Sequence, residues 1–364
     1  MARSYSSRLG GPAAIGAMLA MLTAGAEAQA VLTLKGGATC AECRIQLVPS
    51  AVLGEGEAGL RPDGHAIVAV DSRGGYFVFP TTQQGRLAYY AADGRFVRSV
   101  GSPGAGPQEF DIGSVRMAVS PGDTLFVIKG PFLHTVLPEA RGLLDKTRLP
   151  SSNALPVWTA HGLLAQYKGP RGKFYHQLRS PSGEPRSFGD EPAMRSPYDW
   201  VRKMAPALDG GFWSGAVNRY ELERWTADGR HVLTIRREAS WFEPWVDEPP
   251  GVRVTAPPNP QLSGVRERAD GRLWSLTAIT DPDWQPVPRP AGEARERNYE
   301  NPVSRKSMIE LVDPGAAQVV ATARSERGIG FVIGATDLVY DIGIGPDGDW
   351  EVQIFRLVLR SPNQ

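Results

Sequence analysis

The feature that most constrains this chain is a recurring phrase: a run of β-branched and aromatic residues, then Asp-Gly or Asp-Gly-Arg, then a second such run. It is complete at Ala92-Asp93-Gly94-Arg95, Ala227-Asp228-Gly229-Arg230 and Ala269-Asp270-Gly271-Arg272. Looser versions stand at Pro62-Asp63-Gly64, Pro121-Gly122-Asp123 and Pro346-Asp347-Gly348. Asp-Gly favours a two-residue hairpin whose central positions both take positive φ, which Gly adopts freely and Asp tolerates. Each phrase therefore predicts two antiparallel strands. Gly (41) and Pro (31) are spread through the 364 residues instead of clustered, as many short strands and turns require. No window sustains a helical apolar period, so the chain reads as all-β.

Reading outwards from the turns gives four-strand groups repeating every ~50 residues, the spacing of propeller blades. The groups fall at 66–70, 76–80, 87–91 and 96–100; 115–119, 124–128, 133–137 and 143–149; 155–160, 163–167, 174–179 and 185–188. Further groups cover 201–208, 211–216, 220–226 and 231–236, then 262–268, 273–279, 308–312 and 319–323. The last offers only three strands, at 330–333, 338–342 and 351–359, while one strand, 44–53, is left over near the N-terminus. Pairing it beside 351–359 completes a six-bladed β-propeller and removes both open edges. Two stretches break the rhythm. Residues 241–260, rich in Trp and Pro, read as a crossing segment, and 281–305 interrupts the fifth blade as a long polar insert.

Residues 1–30 carry Arg3 and Arg8, an apolar run at 15–24 and small residues up to Ala28-Gln29-Ala30. This is the pattern of a secretory leader with cleavage after Ala30, and the apolar run is too short to span a bilayer. The expected organisation is a leader at 1–30, an N-terminal segment at 31–43, one propeller domain at 44–360 and a short tail at 361–364. Lys and Arg number 40 against 39 Asp and Glu, so the chain is close to neutral and poorly suited to nucleic acid or an anionic membrane surface. The expected location is periplasmic or secreted, with no membrane span in the mature chain.

After the outer strand of the first group comes Gly101-Ser102-Pro103-Gly104-Ala105-Gly106-Pro107-Gln108-Glu109-Phe110, preceded by Tyr89-Tyr90-Ala91-Ala92-Asp93-Gly94-Arg95. Together they resemble the blade junction of the NHL-repeat and TolB-like six-bladed propellers of exported bacterial proteins. That resemblance implies a ring that binds a ligand or partner. Some relatives of these folds are metal-dependent lactonases or lyases. The five histidines (His65, His134, His161, His176, His231) show no repeating blade position or metal spacing, and no lactonase motif can be matched residue by residue.

Cys40-Ala41-Glu42-Cys43 is the single cysteine pair. In an exported chain it predicts a disulfide. A thioredoxin-like role lacks the βαβ setting, haem attachment lacks a His after the second Cys, and two Cys are too few for structural zinc. The glycine-rich junction lacks the Lys and helix of a phosphate loop, so its glycines and Pro107 read as structural, with Phe110 wedged between blades. Val115-Arg116, Val201-Arg202 and Val265-Arg266 all precede a first hairpin turn. They are predicted to line the axial channel as an anion-binding funnel, with Arg268 on the face of Arg266; solvated rim side chains are the alternative. Trp213 and Trp225 are expected between blades, and Trp241 and Trp245 are a candidate stacking surface on one face. No G-x-S-x-G or H-E-x-x-H occurs. The sequence therefore reads as an exported module binding a small ligand or an envelope protein, with a metal-dependent hydrolase or lyase at the channel mouth as the rival. No cofactor is predicted, and a divalent metal is left open.

Overall fold

The computed structural model describes residues 29–54, 66–80, 85–111, 114–150, 154–167, 172–180, 186–190, 198–246, 257–285, 305–345, 348 and 350–361. Two strands precede the first blade: β1 (Ala30–Leu34) and β2 (Arg44–Leu53). The first blade is β3 (Ala66–Val70), β4 (Tyr76–Pro80), β5 (Leu87–Tyr90) and β6 (Phe96–Val100). The glycine-rich junction follows as a parallel pair, β7 (Ser102–Pro103) and β8 (Glu109–Phe110). The second blade is β9 (Val115–Val119), β10 (Leu125–Lys129), β11 (Phe132–Val136) and β12 (Leu143–Arg148). The third is β13 (Leu155–Thr159), β14 (Gly162–Gln166), β15 (Lys173–Arg179) and β16 (Ser187–Asp190). The fourth is β17 (Arg202–Pro206), β18 (Phe212–Ala216), β19 (Glu221–Trp225) and β20 (His231–Arg237). The fifth is β21 (Gln261–Glu267), β22 (Leu273–Thr280), β23 (Arg305–Asp313) and β24 (Gln318–Ser325). The sixth is β25 (Gly330–Phe331), β26 (Leu338–Ile344), β27 (Trp350–Arg360) and, outermost, β2.

Each blade is an antiparallel meander, and its faces turn to the neighbouring blades instead of to solvent. That explains why the second strands β4, β10, β14 and β18 are buried at every position: covered on both faces, they need continuous apolar runs, whereas the outer β6 is only half-buried. Six apolar clusters fill the six wedges between blades. Phe110 sits in the first wedge, 1% exposed and edge-on to Phe79 at 4.9 Å, as the junction reading required. Lys146 Nζ ties that junction down by donating to the carbonyls of Ala105, Gly106 and Glu109 at 2.9, 3.0 and 3.2 Å.

The Asp-Gly hairpins form, but as three-residue loops instead of the expected two-residue ones. At Ala92-Asp93-Gly94, the Ala91 N–H donates to Arg95 O and the Gly94 N–H to Ala91 O, each at 2.9 Å. Gly94, Gly229 and Gly271 take φ of +87°, +89° and +78°, while Asp93, Asp228 and Asp270 do not take positive φ. This is a type I turn closed by a left-handed glycine and a bulge. The Asp is selected for its carboxylate: Asp93 Oδ1 accepts the Arg95 N–H at 3.0 Å, and Asp270 Oδ1 the Arg272 N–H at 3.2 Å.

Closure occurs where the leftover strand predicted it. β2 pairs antiparallel with β27 from Arg44↔Arg360 to Leu53↔Val352, and the inner ring closes through an Ala69↔Ile333 bridge. β1 was not anticipated. It pairs in parallel with β20, from Ala30↔Leu233 to Leu34↔Arg237. The chain then passes the fifth blade, where Thr39 and Cys40 N–H groups donate to Val319 and Val320 carbonyls at 2.9 and 3.0 Å. Residues 30–53 thus form a belt across three blades, and the Cys40–Cys43 disulfide lies within it. No described α-helix occurs, and none is long and apolar enough to cross a membrane.

Candidate functional site

Lys203 is exposed on the inner strand β17 and Arg116 half-buried on the inner strand β9. They also share a level. Counting back three residues from the last paired residue of each inner strand (Val70, Val119, Pro206, Glu267) reaches Ile67, Arg116, Lys203 and Gly264 in the first, second, fourth and fifth blades. Arg116 Nη1 donates to Val115 O at 2.6 Å. Burial lowers its pKa with no carboxylate opposing that effect.

The other predicted arginines do not join this level. Arg202 opens β17 on the opposite strand face, 4% exposed, looking back to the third blade. Its guanidinium lies 5.9 Å from the Phe174 ring centre and its Nη1 2.8 Å from Glu223 Oε1. Arg266 sits near the far end of β21, 5.0 Å from the Phe331 ring, with Nη1 donating to Val265 O at 2.8 Å; burial pulls its pKa down to about 10. Arg268 is engaged at its own turn by Asp270 at 3.2 Å and lies 5.2 Å from the Trp274 ring. Three levels and two strand faces thus separate Arg116, Arg202 and Arg266, and the expected funnel of these three is not assembled. Sequence reasoning passed over Lys203, the neighbour of Arg202. Alternation lets only one of that pair face the axis, and only the register tells which.

The aromatic face also differs from expectation. Trp245 is turned inward, 9% exposed, with Nε1 donating to Pro260 O at 2.7 Å and its backbone exchanging bonds with Asn218 at 3.2 and 3.0 Å. It anchors the crossing segment instead of offering a ring to a ligand. Trp241 is half-buried against Tyr220, 5.9 Å between ring centres. Trp213 and Trp225 are buried between blades. Most of the 281–305 insert lies outside the described residues, but its roots are joined by Asp281 and Lys306 at 3.2 Å.

A cavity of about 430 Å3 opens between the third and fourth blades, lined by Phe174, Tyr175, Arg202, Glu223, Trp225 and His231 among others. Trp225 Nε1 holds Glu223 Oε2 at 3.2 Å, and His231 stacks on Trp225 at 4.6 Å. Tyr175 donates to Ser214 Oγ at 2.8 Å across the wedge, and burial raises its pKa. At the mouth, Lys173 Nζ reaches Asp190 at 2.7 Å. Among the described residues no group of three His, Cys, Asp or Glu side chains converges on a metal-sized point.

Channel, wedges and belt define the class of protein: a six-bladed β-propeller. Among solved structures it is similar to a Bacteroides fragilis protein expected to be exported, with a TM-score of 0.58 and 11% identity over 91% of this chain and 100% of that one. A streptogramin B lyase (TM-score 0.44, 13% identity, 87% of this chain and 98% of that one) and a protein proposed to be a gluconolactonase (0.43, 12%, 86% and 96%) are fainter likenesses. No family model and no curated protein matches the sequence.

Proposed function

We propose that this protein is an exported binding module whose axial channel takes an anionic small ligand at Arg116 and Lys203. The observation that supports the reading is their common register position: each cation lies three residues before the last paired residue of an inner strand, on blades two apart, where the first and fifth blades carry Ile67 and Gly264. A forked guanidinium and an ammonium on a low-dielectric wall suit a carboxylate or phosphate. The leader pattern at 1–30 and the disulfide support an oxidising compartment outside the cytoplasm. Calorimetry with citrate and inorganic phosphate at low salt tests the site. Replacing Arg116 and Lys203 by Ala is expected to weaken binding at least about tenfold, with steep salt dependence in the parent protein. Unchanged binding in the double variant overturns the proposal.

A further inference from the structure

We propose that Arg266 is a second ligand site, distinct from the axial pair Arg116 and Lys203, and that it takes the carboxylate of a monoanionic small molecule. One residue before the last paired position of the inner strand stand Ala69, Ala118, Trp158 and Ala205 in the first four blades, and Arg266 in the fifth. Those four are apolar and pack into the wedges between blades. A guanidinium at such a position is costly unless an anion offsets its charge. The other buried arginines have that anion: Arg202 faces Glu223 at 2.8 Å, Arg237 faces Glu310 at 3.0 Å, and Arg224 faces Asp209. Arg266 faces no carboxylate among the described residues. Its neighbour Glu267 is turned to the fourth blade, where Oε2 accepts from Trp213 Nε1 and from the Leu208 N–H, each at 3.0 Å. Arg268 and Asp270 neutralise each other at their own turn, 3.2 Å apart.

The surroundings leave one edge of the guanidinium open. Gly264, two residues back on the same strand face, makes room for Phe331, since a Cβ there would stand 2.7 Å from the ring. Phe331 in turn holds the Arg266 guanidinium 5.0 Å from its ring centre, a cation–π contact. Nη1 is taken by Val265 O at 2.8 Å. Nε and Nη2 have no hydrogen-bond partner among the described residues and, unlike Arg202 Nε, are not sealed from solvent. Those two nitrogens carry the parallel N–H pair that meets both oxygens of one carboxylate. Only one net charge stands here, so a monoanion neutralises the site. A dianion brings a second, unpaired charge against an apolar wall, and a neutral amide leaves the cation uncompensated.

The test uses the whole protein, isotope-labelled for NMR, with formate, sulfate and formamide each titrated against chloride at constant ionic strength. Formate is expected to move the Nε–H resonance of Arg266 downfield and to saturate it, binding at least about tenfold tighter than sulfate or formamide. Replacing Arg116 and Lys203 by Ala removes the axial cations, and formate should still shift that resonance and raise the melting temperature above its value in chloride. Adding Arg266→Ala, which installs the residue that three other blades carry at this position, should abolish the rise. An unmoved Arg266 resonance, sulfate or formamide binding as tightly as formate, loss of the formate response in the axial double variant, or a rise kept in the triple variant overturns the proposal. The resonance is read in the unaltered protein, so it remains decisive even where a variant fails to fold.

Discussion

Single residues carry the electrostatics of the wedges, and two can be read out directly. Glu310, 1% exposed, neutralises Arg237 across the fourth and fifth blades. Glu310→Gln should cost about 3–5 kcal/mol in urea unfolding, because it strands a buried guanidinium. His134 is fully buried beside Phe110, and burial, with Lys146 and Lys129 nearby, holds its pKa down at about 4. A histidine whose folded pKa lies below its unfolded one favours the folded state while neutral. Its contribution is intact above pH ~6.5 and is lost as the pH falls towards 4, up to about 3 kcal/mol. Replacing His134 by Phe should flatten the stability profile across that window, as followed by thermal melts.

At the scale of elements, the strands were legible because the second strands of the first four blades are covered on both faces and are mostly apolar. Turn type was less so. Asp-Gly serves two loop geometries, and at the turns after the third strands of the first and fourth blades the three-residue loop goes with a bulge, between Tyr89 and Tyr90 and between Arg224 and Trp225. β1 was missed although Ala30-Val31-Leu32-Thr33-Leu34 has strand composition, since nothing local says that it adds to a blade 200 residues away. Replacing Leu32 and Thr33 by Pro removes consecutive N–H groups and should undo the β1–β20 ladder. Amide exchange along β20 is then expected to speed up by about tenfold or more, with the other blades unchanged. Normal protection of β20 in that variant would mean that the belt contributes nothing to the fourth blade.

For the whole molecule, the ring is held by one pairing between the chain's two ends and a tie on the inner circle. A chain beginning at Arg44 retains β2 and should remain a closed, cooperative propeller. One beginning at Ala66 lacks it, and should melt more than about 10 °C lower or lose cooperativity. Blade number, strand order and the closing strand follow from the sequence because turn chemistry and apolar runs are local and repeat along the chain. The site is another matter. Whether Arg202 or Lys203 faces the axis, whether Trp245 offers its ring or hides it, and that Arg202 meets Glu223 beside a cavity depend on register and on the approach of separate blades. Those are long-range outcomes of packing, and so the tertiary structure alone decides them.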